Sequence, residues 1–137
     1  MLKNIDIINS ELNSLLSEMD FCLFFDDNLK LKFYHHIKPN ALINAAICSG
    51  KEKTFSALAL KLSLRKINQR SKPDFLMLDE MTGKLIDNSV QEFVNFIKSV
   101  KKSINKIIII EHNHSVYPDQ IINIEKDKKG ISKLTIY

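Results

Sequence analysis

Apolar residues recur along this chain with two periods, and the changes of period mark its elements. Ile5, Ile8, Leu12, Leu15 and Met19 are spaced three, four, three and four apart, which predicts an amphipathic helix within residues 1–19. Such a seam fits a helix packed on its own domain and equally the root of a longer coiled coil. Phe21 to Phe25 is an unbroken apolar run. Asp26, Asp27 and Asn28 supply turn residues, and Leu29 to His35 then alternates with period two. The pair predicts a β-hairpin, ended by Pro39 and Asn40. Phe55, Leu58, Ala59 and Leu62 share one face of a helix beginning at Lys51 and closing between Asn68 and Ser71, before Pro73. Phe75 to Leu78 and the β-branched run Ile107 to Ile110 are short and polar-bounded, as central parallel strands are. Between them Thr82, Gly83 and Lys84 form a loop. Asn88 is positioned to cap a helix with Val90, Phe93, Val94 and Ile97 on its buried side. Ile121 to Ile124 and Ile131 to Ile136 read as a last hairpin turning at Lys128, Lys129 and Gly130.

Helix, hairpin, alternating helix and strand, then hairpin predict an α/β fold with a mostly parallel central sheet flanked by helices. The 137 residues suit one domain with its own core. No apolar stretch is long enough to span a bilayer, and the charged N-terminus has no signal-peptide core. The expected location is therefore cytoplasmic, or the host cytoplasm for a viral protein. Cys22 and Cys48 lack metal-site spacing and fit buried free thiols. A net charge of +4 permits contact with nucleic acid without requiring it. The cluster Lys98, Lys101 and Lys102 lacks interleaved aromatics and reads as a solvated face. His35 and His36 read as surface strand.

Candidate chemistry gathers at three places. Asp79 and Glu80 end the Phe75 run, and the carboxyl end of a parallel strand is where open α/β sheets put catalytic groups. Hydrolysis of a phosphoanhydride needs a cation against the phosphates and a group to activate water. Asp79 fits the magnesium role and Glu80 the general base, although acidic pairs after strands are common as solvated loops. Ser49 opens the Phe55 helix, whose free N–H groups and positive dipole end suit a phosphate. It fits equally a plain N-cap, with Glu52 completing a capping box. His112 follows four isoleucines, where an imidazole can sense a terminal phosphate or simply satisfy a sheet edge. His112 and His114 are spaced as a metal pair, but no further Cys or His stands nearby. A phosphate-cradling loop needs G-K-[ST] after glycines. Gly50, Gly83 and Gly130, the only glycines, do not form one.

In order and spacing, three strings resemble the signature motif, Walker B strand and switch histidine of an ABC-type ATPase. They are Cys48 to Leu62, Pro73 to Gly83, and Ile107 to His114, and Gly130 to Ile136 continues the likeness. Most specifically from Ile47 onward, the chain resembles the C-terminal lobe of the ATPase head of SMC-like proteins and of SbcC-type DNA repair exonuclease ATPases, phage relatives included. In that family the P-loop lies on an N-terminal lobe joined through a long antiparallel coiled coil. The resemblance implies a P-loop NTPase lobe using ATP and Mg2+, with Asp79 serving the metal, Glu80 the attacking water and His112 as switch. It implies that Ser49 and Gly50 meet the γ-phosphate of an opposing head, that Asp87 is the D-loop acid, and that residues 1–19 root the returning coil. Lys51 stands where the family has a second glycine, either hindering approach to the phosphate or adding charge. Five residues, Thr82 to Ile86, lengthen the D-loop.

The reading that follows is half of an ATP-hydrolysing head for DNA repair, recombination or chromosome maintenance. It is inactive alone and works with a P-loop lobe, a second head and DNA, and a nuclease subunit is a further candidate partner. The alternative is a non-catalytic interaction module that keeps the fold and binds partner heads or a nuclease. A generic α/β domain with accidental motifs is the third. The neighbouring reading frame would discriminate, since a P-loop followed by long heptads marks a split head.

Overall fold

The computed structural model describes residues 2–44, 47–68, 74–83, 85–112 and 118–137. Helix α1 (Leu2–Leu15) leads into strands β1 (Phe21–Phe25), β2 (Leu31–His35) and β3 (Ile43–Asn44). They form an antiparallel sheet in the order β1-β2-β3. Helix α2 (Gly50–Ile67), strand β4 (Phe75–Asp79), helix α3 (Asp87–Val100) and strand β5 (Lys106–Ile110) follow. β4 and β5 run parallel, with Phe75 opposite Lys106 and Asp79 opposite Ile110. The chain closes with the antiparallel hairpin β6 (Ile122–Lys126) and β7 (Ser132–Ile136). The class is α/β, as the sequence predicts, but of the expected mostly parallel central sheet the described residues form only the β4–β5 pair, and the other pairings are antiparallel.

One core joins the first three layers. α1 packs on α2 and β1. Its Leu12 is buried and Ile8 and Leu15 pack partly buried against the core, while past the helix end Leu16, which is outside the predicted seam, is buried together with Met19. The expected helix over residues 1–19 thus ends at Leu15, and turns follow. Asn9 replaces a neighbouring strand at β1: its side chain accepts from the Phe25 N–H (2.8 Å) and donates to the Phe25 carbonyl (2.9 Å). Four fully buried rings fill the centre: Phe21 against Phe33 at 5.0 Å, and Phe55 edge-on to Phe93 at 6.2 Å. Phe55, Leu58, Ala59 and Leu62 of α2 are all buried, as are Phe93, Val94 and Ile97 of α3.

The two tight hairpins share one turn chemistry. Asp26 Oδ1 accepts from the N–H groups of Asn28 and Lys30, and Asp127 Oδ1 from those of Lys129 and Ile131. The next-to-last turn residue has positive φ in both: Leu29 at 61° and Gly130 at 79°.

Two boundaries differ from the sequence reading. Ile86, not Asn88, is the N-cap of α3, and no side chain caps it. The strand pairing also extends to β3, beyond the Pro39 break, because Ile43 finds Phe33 opposite. Along β4 and β5 burial alternates. Leu76, Leu78, Ile107 and Ile109 join the core, whereas Phe75, Met77, Ile108 and Ile110 are exposed. Runs of this composition are built for cover on both faces. Among the described residues only one face is covered.

Candidate functional site

The carboxyl ends of β4 and β5 are cross-linked three times. The Glu80 N–H donates to the Ile110 carbonyl (2.9 Å), extending the parallel ladder one residue past Asp79. The Thr82 N–H donates to Glu111 Oε1 at 2.8 Å. His112 Nε2 meets Glu80 Oε1 at 2.9 Å, as a neutral hydrogen bond or an ion pair according to the imidazole's charge. Glu80 itself has φ +47°, a left-handed backbone that a glutamate adopts only when its surroundings impose it. The turn swings the Glu80 carboxylate off the strand axis and onto His112. Both side chains remain open to solvent, as does Asp79. A carboxylate oriented by an imidazole at a strand's carboxyl end can take a proton from a water held against it.

Glu111 is the residue that sequence reasoning passed over, since it reads only as the step between Ile110 and His112. Half-buried, it anchors the loop in which Thr82 is buried and which leads to Asp87. An acidic residue directly after four isoleucines was the available signal.

Ser49, Gly50 and Lys51 form a second group at the tip of α2. The capping box is present: Ser49 Oγ accepts from the Glu52 N–H (3.3 Å), and Glu52 Oε2 accepts from the Ser49 N–H (2.6 Å). His35, expected as plain surface strand, instead reaches Glu52 Oε1 at 3.0 Å and so braces the cap from β2. Lys51 turns to carboxylates of this chain, Glu92 Oε2 at 2.7 Å and Asp20 Oδ1 at 3.6 Å. Burial lowers its affinity for a proton, but the two carboxylates more than offset this, and its pKa stands above the ordinary lysine value. Burial and the nearby Glu52 push the Cys48 thiol up. Cys48 is buried as expected. Cys22 is only half-buried and lies 3.1 Å from His36 Nε2. Asp87 is the first residue of α3. His114 falls outside the described residues.

The strand-end group and the α2 tip are thus built separately, and Lys51 ties the tip to α3, the helix that Asp87 opens. Among the described residues no three Asp, Glu, His or Cys side chains converge as a metal site. No helix among them is long and apolar enough to cross a membrane.

No family model matches the sequence. Over 98% of its length the chain is 30% identical to the DNA double-strand break repair Rad50 ATPase of Methanocaldococcus jannaschii, of which it spans 13%. Over 68% of its length it is 30% identical to the chromosome partition protein Smc of Clostridium kluyveri, of which it spans 8%. The chain therefore corresponds to a small part of these relatives. Its fold is that of SMC head domains. It superposes with a TM-score of 0.72 and 23% identity on the SMC head domain from Thermotoga maritima, covering 95% of this chain and 47% of that one. A TM-score of 0.78 at 18% identity relates it to a chain solved in work on ATP-driven dimerization and DNA-stimulated activation of SMC ATPases, of which it covers 86%. The resemblance to SMC-like ATPase heads holds in both sequence and fold.

Proposed function

We propose that this chain is the C-terminal, catalytic lobe of an SMC- or SbcC-like ATPase head, and that it hydrolyses ATP only when another lobe supplies the phosphate-binding loop. The observation that carries the reading is the Glu80–His112 pair at the joined ends of two parallel strands, in a chain similar to Rad50 and Smc ATPases. The open face of β4 and β5 supports it. Phe75, Met77, Ile108 and Ile110 make an apolar surface beside strand edges that are unpaired among the described residues, a form suited to a joining neighbour.

The donor set fits a shared site. Magnesium is held by one or two carboxylates together with phosphate oxygens and water. Asp79 offers one exposed carboxylate, and among the described residues no cluster of three protein ligands stands beside it. When bound, the ion would neutralise charge on the phosphates. Glu80 would orient and deprotonate the attacking water, with His112 holding the carboxylate in place. Ser49 and Gly50 would present the N-terminus of α2 to a second head's γ-phosphate, and Asp87 would lie beside the same contact. ATP-dependent pairing of two heads, action on DNA and association with a nuclease belong to this proposal. A second reading, a non-catalytic module that binds partner heads, is favoured by one feature: Lys51, in the first turn of α2, is paired with carboxylates of its own chain.

The test is Glu80→Gln in the complex with the P-loop lobe. Removing the base blocks water activation and leaves the phosphate contacts. Hydrolysis should vanish while ATP stays bound and paired heads accumulate. Turnover at the parental rate would remove Glu80 from the role of base. Without the P-loop lobe, calorimetric titration of the chain with Mg-ATP should give no appreciable heat of binding, because most phosphate-binding backbone groups are supplied elsewhere.

A further inference from the structure

We infer that Lys51 is a positioning residue: clamped between Asp20 and Glu92, it fixes the tip of α2 relative to α3 and so sets the geometry in which two heads can close. The inference rests on the reading of the α2 tip as a surface that meets a second head.

Lys51 is the second residue of α2. A cation is out of place there, because the helix dipole and the free N–H groups already make that end positive. Two carboxylates from outside the helix reverse the balance. Asp20 lies in the turn between α1 and β1, and Glu92 lies in α3. The Glu92 oxygen that faces the ammonium is shut off from solvent and has no hydrogen-bond partner of good geometry, so the lysine charge alone answers it, while the rest of the Glu92 side chain stays partly exposed. A carboxylate oxygen taken out of water needs a close cation or donor, so the contact constrains both partners. The lysine side chain is only 26% exposed, unusual for a residue whose charge normally stays in water. Three elements that do not adjoin in sequence therefore meet on one ammonium.

The cap and the clamp have separate jobs. Glu52 and Ser49 satisfy the end of α2, and His35 braces Glu52 from β2. None of these contacts reaches α3. Among the described residues Lys51 is the charged group of the tip that joins α2 to the helix that begins at Asp87, one turn ahead of the Phe55 contacts with Phe93 and Phe96. A surface that must dock both the α2 tip and the start of α3 on one partner needs their separation fixed beforehand, since each ångström of play weakens the joint contact. Loss of the clamp should therefore impair head closure while leaving nucleotide affinity within one head unchanged.

The experiment uses the complex with its P-loop lobe. Sedimentation gives the ATP concentration at which heads pair, and a fluorescent ATP analogue gives affinity in the single head. Lys51→Met should raise the pairing midpoint about threefold, the scale of one partly exposed ion pair. Nucleotide affinity should stay at the parental value. Lys51→Arg should pair near the parental midpoint. The exchange Lys51→Glu with Glu92→Lys should recover most of what Lys51→Glu alone loses, which a purely structural loss would not allow. Pairing of Lys51→Met at the parental midpoint, or no recovery in the exchange, overturns the inference. Failure of the parental complex to pair with ATP overturns the proposed function instead. The clamp is then still read in the chain alone, by NMR titration of the Lys51 ammonium. It should titrate above an ordinary lysine and fall back in Glu92→Gln, and an unchanged titration there overturns the clamp itself.

Discussion

Glu80 carries backbone strain, and the proposed chemistry rests on its carboxylate. Its left-handed backbone costs about 1 kcal/mol in a residue with a side chain and almost nothing in glycine. The Ile110 carbonyl on its N–H, the Glu111 carboxylate on the Thr82 N–H and the contact with His112 hold the turn in place. Glu80→Gly should therefore raise stability by about 0.5–1 kcal/mol in thermal denaturation while removing the carboxylate. A lower melting temperature would mean that the His112 contact outweighs the backbone strain. Ser49 is the opposite case. Its hydroxyl satisfies one helix-end donor, so Ser49→Ala should lower stability by about 1 kcal/mol and leave the fold intact. At this scale Ser49, Glu52, Asp79, Glu80 and His112 were readable from residue type and spacing alone. Glu111 and the partners of Lys51 were not, because their meaning lies in what they face.

The helices and strands follow from periodicity wherever one face is buried. Phe55, Leu58, Ala59 and Leu62 predict both the existence of α2 and its buried side, and the same holds for Phe93, Val94 and Ile97 in α3. Phe93 is fully buried and meets Phe55 edge-on, so Phe93→Ala should cost about 3–5 kcal/mol, measured by urea denaturation. The two hairpins offer a sharper test. Gly130 and Leu29 hold equivalent places in matching aspartate-led turns, but only glycine is at ease with positive φ. Leu29→Gly should stabilise by about 1 kcal/mol, and its exposed side chain gives up little packing in exchange. The features missed at this scale are short or side-chain-free. β3 has two residues and exists because Phe33 lies opposite Ile43. The start of α3 is set by the chain's path out of the loop at Thr82, not by a capping side chain, so Asn88 was a natural but mistaken choice.

At the scale of the molecule, the open face of β4 and β5 is the feature with consequences. Met77 is about half exposed and contributes little to this chain's own core. Met77→Glu should change stability by less than about 0.5 kcal/mol, as surface substitutions do. It should nevertheless weaken association with the proposed P-loop lobe, because a charge buried at an apolar contact is expensive. Co-purification of the two lobes, beside thermal denaturation of the chain alone, separates these effects. Retention of the partner by Met77→Glu would place the lobe contact on another face.

Sequence by itself determined the α/β class, the faces of α2 and α3, the parallel strands and the acidic and imidazole groups at their ends. Each of these depends on residue type at a local period, and burial of apolar groups enforces that period. Tertiary structure alone decided that Glu80 turns onto His112, that Glu111 anchors the following loop, that His35 braces the α2 cap, and that Lys51 is claimed by Asp20 and Glu92. These contacts span 17 to 41 residues in sequence. A charged side chain has no period to betray its partner, and its position becomes definite only when packing brings distant elements within reach.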